Sequence, residues 1–508
     1  MLSPRSVLGV LLALGVAAPA DAGARPKRLP LPALHAEPDP AGGRIVDAHG
    51  REVLLRGVNV NTLVEYWQYG PIPPTIPFDR DDATIMNGIG WSAVRLLVSW
   101  SRVEPEPGAY DERYLDEVAR LVRLFRRRNL YTIIDFHQDA WGPTLAASPD
   151  ETCAPGSAPA FGWDGAPGWA TLDGGAIRCV SGFRELSPAV RASFDAFFAD
   201  APGPDGVGIR TRYARMVGRV ARRFAKERSV AGYDVMNEPN ALSPEGVAAL
   251  GDLYAEVIAE VRSAERAAGG FPHLVSFEPS ILWSDFPIGA LPEFTDDANV
   301  VFAPHIYRGG LTSGPVQRAD FERARADAAL FGGAPVLVGE WGSGPDRALD
   351  PADVYFREHQ ALQDEFRFSA TLWTWREACG DPHKAGEARA GLVPQVWGEW
   401  DLDCATNTLR GPRQALIDQL TRAYVRAAPG RLDVTSYDPV DGAFSAAGSD
   451  APAGAELVVY YPARLHGRPT LAGSGLRRLR IRPAGDAGSY LLGETSGGPW
   501  SLTATAPD

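Results

Sequence analysis

The stretch Val230-Ala231-Gly232-Tyr233-Asp234-Val235-Met236-Asn237-Glu238-Pro239 is apolar for most of its length and then closes on an amide and a carboxylate. A short run that is apolar throughout, rather than alternating, suits a strand covered on both faces, as in a parallel sheet flanked by helices. Seven other runs share the pattern: Val53–Val60, Ala93–Val98, Tyr131–His137, Leu274–Glu278, Val300–Tyr307, Pro335–Trp341 and Ala370–Trp375. Amphipathic segments separate several of them. In 112–128, Leu115, Val118, Val122 and Phe125 form one stripe, and Arg126, Arg127 and Arg128 load the end where a helix dipole favours cations. Segments 211–226 and 247–266 read the same way. Eight strand-plus-helix units predict an α/β fold, a (β/α)8 TIM barrel over 44–427, with its working groups at the C-terminal strand ends.

Polar residues stand at those ends: Asn59, Arg95, His137, Asn237-Glu238, Glu278, His305 with Tyr307, Glu340 and Trp375. The loop over about 140–210 is long and rich in Gly, Pro and Trp, and loops of that length carry function or small elements of their own. Beyond 428 the pattern turns to short alternating segments split by Gly, Pro and Asp, which predicts a small all-β sandwich over 428–508. Arg478, Arg480 and Arg482 would share a strand face there, read as solvated rather than as an anion site.

Glu238 and Glu340 occupy matching positions, each closing an apolar run. Two facing carboxylates at a barrel mouth are the machinery of glycoside hydrolysis, one protonating the departing oxygen and the other attacking. The competing reading, two helix caps or surface pairs, explains one such residue more easily than two in the same context. On the chemical reading Glu340 is the nucleophile, kept ionised by Arg95 and oriented by Tyr307. Glu238 is the acid/base and starts protonated, helped by the charge of Glu340. Asn237 is placed for the sugar 2-hydroxyl, and His137 and His305 for substrate or for orienting the glutamates. Glu278 is read as a supporting hydrogen-bond partner. Tyr66, Trp67, Tyr69, Trp141, Phe161, Trp163, Trp169, Trp283 and Phe286 fall in loops, where aromatic faces suit pyranose rings or a lipid slot.

At 508 residues the chain exceeds the usual single domain, and its net charge of −13 argues against nucleic acid or anionic membrane as partner. Residues 1–24, with Arg5, an apolar stretch and Ala20-Asp21-Ala22, read as a secretory signal, and 25–43 as a flexible lead-in. Four cysteines suit an oxidising compartment. Of three connectivities the sequential one, Cys153–Cys179 with Cys379–Cys404, is the economical choice, each bridge closing a loop of about 25 residues. A zinc site is the rival, but no Cys-x-x-Cys spacing exists.

These motifs resemble glycoside hydrolase family 5 over most of 45–425. Val94-Arg95-Leu96, His137, Asn237-Glu238-Pro239, His305-Ile306-Tyr307, Gly339-Glu340 and a closing tryptophan, Trp375 or Trp373, carry the resemblance. Asp135-Phe136-His137-Gln138-Asp139 and the all-β tail look like endoglycoceramidases, which cut between an intact glycan and ceramide. Two features depart from the family: Arg376 replaces a common Asn, and Asn61–Pro77 differs in form. The resemblance implies a secreted retaining β-glycosidase that releases the glycan from a glycosphingolipid by double displacement. Arg95, His137, Asp139, Asn237, His305, Tyr307 and Trp375 would bind substrate. We expect no cofactor or metal, transient contact with a lipid surface or micelle, and a monomer. The alternative is the same chemistry on a glucan, a sterol glucoside or another small β-glucoside. A catalytically dead carbohydrate-binding barrel is the reading from another class, and the retention of both glutamates speaks against it. No Gly-x-Ser-x-Gly elbow supports a lipase.

Overall fold

The computed structural model describes Leu29 and residues 31–285, 291–311, 314–344, 353–384, 396–406, 408–485 and 488–507. The proposed signal, 1–24, and Phe286 lie outside the described residues. Eight parallel strands follow one another in the chain: β1 (Arg56–Val60), β2 (Ala93–Ser99), β3 (Tyr131–His137), β4 (Val230–Asp234), β5 (Leu274–Phe277), β6 (Val300–Phe302), β7 (Leu337–Trp341) and β8 (Ser369–Leu372). Each pairs with its neighbour, β8 pairs with β1, and a parallel bridge from Phe302 to Val336 joins β6 to the start of β7. The expected barrel is therefore present with all eight runs in order. Several strands stop short of the apolar run because the chain leaves the ladder where its polar residues begin.

Alternation along the strands sorts their side chains. Val94, Leu96 and Val98 of β2 face outward into the large core shared with the helices. Ala93 faces inward with Ile133, Ala231, Leu274, Val301 and Leu337, forming an apolar layer at the N-terminal end of the barrel. Helix Glu112–Arg126 shows how the cover is made. Asp111 caps it through the backbone N–H groups of Arg113 and Tyr114, and Leu115, Val118, Val122 and Phe125 are buried against the sheet.

The apolar end layer continues into a β domain of two antiparallel sheets. The four-stranded sheet contains Arg431–Tyr437, Phe444–Ala451, Gly498–Thr505 and Thr470–Ser474. The seven-stranded sheet joins Tyr424–Pro429, Glu456–Tyr461, Ser489–Thr495 and Leu476–Pro483 to three strands from the other end of the chain: Leu34–Glu37, Arg44–Asp47 and Arg51–Val53. Part of the expected lead-in is thus a strand with Leu34 buried, because Leu34 and Ala36 alternate inward on the sheet. Arg426 donates to the carbonyls of Trp91 and Asn129, which precede β2 and β3, so this domain covers the barrel end opposite the polar mouth. On edge strand Leu476–Pro483, Arg478 pairs with Glu494 and Arg480 with Glu456. Among the described residues no helix is long and apolar enough to cross a membrane.

The third loop spans the residues between β3 and helix Ile209–Phe224 and carries its own helix, Pro188–Phe198. Disulfides join Cys153 to Cys179 and Cys379 to Cys404, the sequential pairing.

Candidate active site

Arg95 organises the barrel interior. Its guanidinium, fully buried, reaches the side chains of Asn59, Asp135, Asp234, Asn237, Glu278 and Glu340 at 2.9–3.0 Å. Burial alone would lower its pKa, but Asp135, Asp234, Glu278 and Glu340 outweigh that and hold it firmly cationic. Sequence reading missed Asp135 and Asp234 as parts of the site. The signal was available: an acid inside an apolar strand needs a buried cation.

Glu340 points inward because β7 is irregular. Val338 pairs with Ala370 and Trp341 with Leu372, so β7 holds one residue more than its partner between those pairs. Such a bulge re-aims a side chain, and here Val338 and Trp341 both stay in the outer core while Glu340 turns to the mouth. Gly339 is required beside it, since a Cβ there would stand 2.9 Å from Nε2 of His305. Glu340 accepts hydrogen bonds from Arg95 (2.9 Å) and from the Tyr307 hydroxyl (2.8 Å). Burial and the Glu340 charge keep the Tyr307 phenol far above its ordinary range, hence a donor.

Glu238 follows β4 in a left-handed conformation, φ 40°, which costs a non-glycine residue on the order of 1 kcal/mol. Three hydrogen bonds hold it there. Its N–H donates to Glu278 (2.9 Å), and the Gln138 amide donates to the carbonyls of Asn237 (2.7 Å) and Glu238 (2.9 Å). Glu278 so acts as the support expected of it, and burial pushes its own pKa up to about 7. Asn237 accepts from Arg95 and donates to the Gln138 carbonyl.

His305 sits among three carboxylates, at 2.9 Å from Glu238, 3.2 Å from Glu278 and 3.6 Å from Glu340. Burial opposes its charge, but Glu278 and Glu340 with hydrogen bonds to Glu238 and Glu278 raise its pKa well above the ordinary range. Burial raises Glu340 despite His305 and Arg95, whereas for Glu238 the His305 bond and charge overcome burial and lower it. One oxygen each of Glu238 and Glu340 and a nitrogen of His305 lie within 4.8 Å of one another.

The remaining expected residues divide. His137 is held by Asp135 (2.7 Å), and its ring stacks on Trp373 at 5.6 Å and 12°. Asp139 is buried between Arg184 and His383 (2.9 Å), whose charges overcome burial and keep its pKa well below the usual range. Trp375 does not join the cluster. Its indole donates to Asp82 and packs against Trp91 and Trp400 on the outer side, so Trp373, two residues earlier, faces the mouth. Arg376 also binds Asp82 and the Pro77 carbonyl, bracing the unusual 61–77 loop rather than entering the site. Arg184 and His383 lie outside the periodic elements, and sequence reading did not select them for the site; Trp163 was among the loop aromatics it named.

Arg184 lies over the Trp163 ring at 4.1 Å and 3.7 Å from the outer oxygen of Glu238. Two further groupings, His137 with Asp139 and Asp164, and Glu377 with Asp381 and His383, are compact enough for an ion, but each histidine is already held by a carboxylate.

Residues 46–378 match the family model for cellulase, glycosyl hydrolase family 5. Endoglycoceramidase I of Rhodococcus hoagii (strain 103S) is 28% identical over 281 residues, covering 52% of this chain and 52% of that protein. The endoglycoceramidase of Hydra vulgaris is 25% identical over 224 residues, 40% of each. The chain thus aligns with about half the length, or less, of these curated relatives. The crystal structure of endogalactoceramidase superposes with a TM-score of 0.82 at 36% identity, over 93% of this chain and 100% of that one. A polar mouth with two facing glutamates, a family match across the barrel and likeness along nearly the whole chain lead to one conclusion: the chain belongs to glycosyl hydrolase family 5 and is an endoglycoceramidase-like glycoside hydrolase.

Proposed function

We propose that the protein is a retaining β-glycosidase that cleaves the bond between glycan and lipid in a glycosphingolipid, with Glu340 as nucleophile and Glu238 as acid/base. The facing of the two carboxylates carries this reading: an oxygen of Glu238 and one of Glu340 lie within 4.8 Å of each other, beside His305. That approach fits the close pair of carboxyl groups, about 5–5.5 Å apart, that a retaining enzyme uses. Glu340, held by Arg95 and Tyr307, attacks the anomeric carbon as the leaving oxygen takes a proton from Glu238. His305, 2.9 Å from Glu238, is placed to exchange that proton with it. After the glycosyl ester forms, Glu238 takes a proton from water, which opens the ester with net retention. The second N–H of Asn237 serves the 2-hydroxyl, and His137, Asp139 and Trp373 line the first sugar.

The relatives named for ceramide glycosides support a glycolipid substrate, and whole-length likeness to an endogalactoceramidase favours galactose at the cleaved bond. Export fits the signal-like 1–24 and the two disulfides. Assay of matched galactosyl- and glucosyl-linked ceramide glycans beside a β-glucan tests the substrate. We expect turnover of the ceramide glycans, faster for galactose. Turnover of the glucan alone would replace this reading with the glucanase alternative.

Glu238→Ala with an activated aryl β-glycoside should stall at the glycosyl-enzyme, because that leaving group needs no acid. Azide should then raise turnover by roughly 10–100-fold and yield the β-glycosyl azide. An unresponsive variant would take the acid/base role from Glu238.

Arg184→Gln removes a cation that lowers the Glu238 pKa. The alkaline limb of the kcat/KM profile, which reports loss of the acid's proton, should move up by roughly 0.5–1 pH unit. A limb that stays or moves down would mean Arg184 does not act on Glu238.

A further inference from the structure

We infer that Arg44, Arg325, Arg367 and Arg431 form a binding site for a compact tetrahedral oxyanion, phosphate or sulfate, at the barrel end opposite the mouth. The four come from separate parts of the chain. Arg44 opens strand Arg44–Asp47, Arg325 stands on helix Arg318–Ala329, Arg367 follows helix Tyr355–Phe366, and Arg431 opens strand Arg431–Tyr437. All four are half-buried and line one open pocket of about 430 Å³, counted out to solvent. Val336 and Phe368, just before β7 and β8, line it too. Such a gathering of cations needs a cause in a chain whose net charge is −13.

The walls are built for close approach. A Cβ at Gly43 would strike the Gly333 carbonyl, and one at Gly333 the Asp39 carbonyl, so the turn at 39–43 and the one before β7 lie backbone against backbone. The Asp39 N–H donates to the Gly333 carbonyl (2.9 Å) and closes that seam. The Arg325 guanidinium lies against Gly42 and over the Phe366 ring, 4.8 Å from its centre, and donates to the Phe366 carbonyl (2.6 Å). These contacts hold its planar fork in place at the pocket.

Charge selects the occupant. Arg44 is paired with Glu37, and Arg431 with Asp39 at 2.6 Å. Arg325 and Arg367 donate only to main-chain carbonyls, of Phe366 and Asp433, and neither pairs with a carboxylate among the described residues. The Arg325 Nε is buried without a hydrogen-bond partner among the described residues. A buried donor of that kind is costly until an acceptor reaches it. Two carboxylates also line the pocket, and both are engaged. Asp39 holds Arg431 and accepts from the Ala41 N–H, while Glu52 accepts from the Leu432 N–H (2.9 Å). Burial raises the Glu52 pKa against that bond and the charges of Arg367, Arg44 and Arg431, which makes it a poor counterion. Burial and the charges of Arg367 and Arg431 lower the Arg325 pKa, against Glu365, so these cations repel one another. A dianion with four oxygens relieves that repulsion and can serve more than two guanidinium forks at once. A carboxylate brings one charge and two oxygens.

Phenylglyoxal, which modifies accessible arginines, tests the site in the unaltered protein, with peptide mass spectrometry as the readout. Inorganic phosphate at constant ionic strength should slow modification of Arg325 and Arg367 saturably, by about fivefold or more, and leave the exposed Arg478 unchanged. Sulfate should act as phosphate does. Thermal unfolding gives a second measure. Phosphate should raise the parent's Tm by about 2–4 °C and level off, whereas Arg325→Gln and Arg367→Gln should keep only the linear salting-out part. In chloride alone Arg367→Gln should unfold within about 1 °C of the parent, because it removes one of several like charges. Equal protection of Arg478, or a Tm rise linear in phosphate and the same in all three proteins, would overturn the site. So would a loss in Arg367→Gln as large in chloride as in phosphate, which would make that arginine structural. Vesicles containing phosphatidic acid, run beside the free ion, separate a lipid headgroup from dissolved phosphate. Protection by either keeps the site, and protection by neither overturns it.

Discussion

Glu340→Gln should lower kcat by about 10⁴-fold or more on every glycoside the parent cleaves. The amide preserves the shape of the side chain and can still meet the Tyr307 hydroxyl, but it cannot form the glycosyl ester. The substitution also removes a negative charge close to Glu238 and Glu278, so the fold should survive. Circular dichroism should superpose on that of the parent, and the first unfolding transition should shift by only a few degrees. Mass spectrometry of the parent quenched with an activated 2-fluoro glycoside should place the adduct on the peptide bearing Glu340. An adduct elsewhere, or activity within about tenfold of the parent in the amide variant, would remove Glu340 from the role.

Arg95→Met should be the most damaging single change to the barrel. Its fully buried cation offsets the charge of Asp135, Asp234, Glu278 and Glu340 around it. Breaking a buried ion pair from one side costs about 3–5 kcal/mol, because the partners stay buried and unpaired. Urea unfolding followed by tryptophan fluorescence should show a loss of that size, or no folded barrel at all. Arg95→Lys separates charge from geometry. Lysine keeps the charge but offers three donors where six side chains converge on the guanidinium. It should fold better than the methionine variant, yet lose activity by about 10²–10³-fold, as Glu340 and Asn237 lose their orientation. A methionine variant as stable as the parent would show that the carboxylates share protons rather than a cation.

The acid limb of activity adds a further expectation. Burial raises the Glu340 pKa from its ordinary value. Below that pKa the nucleophile is protonated and inert, so activity should fall on acidification at a higher pH than for a solvent-exposed glutamate. A kcat/KM profile flat down to pH 4 would contradict it.

The barrel was legible because each strand is apolar on both faces and the helix stripes are strongly periodic. Leu115, Val118, Val122 and Phe125 reported their burial through spacing alone. Glu238, Glu340 and Arg95 were legible because a polar residue at or inside such a strand has few other uses. Trp375 was misplaced for a physical reason: with strand β8 ending at Leu372, period-two alternation no longer says which of two tryptophans faces inward. The bulge in β7 was invisible too, since one added residue leaves no mark on composition. Arg184 and His383 escaped because they lie outside the periodic elements, where contacts are set by tertiary closure and by Cys153–Cys179 and Cys379–Cys404. The seven-stranded sheet escaped prediction because it pairs residues from the two ends of the chain, and local patterning carries no information about such pairing.

The account is tested most directly by proton NMR of the sugar first released from a lactosyl- or galactobiosyl-ceramide in detergent, with Glu340→Gln as control. We predict the intact disaccharide, initially as the β-anomer, with free ceramide and no release by the control. An initial α-anomer would contradict the retaining geometry, and free monosaccharide alone would contradict cleavage at the lipid junction.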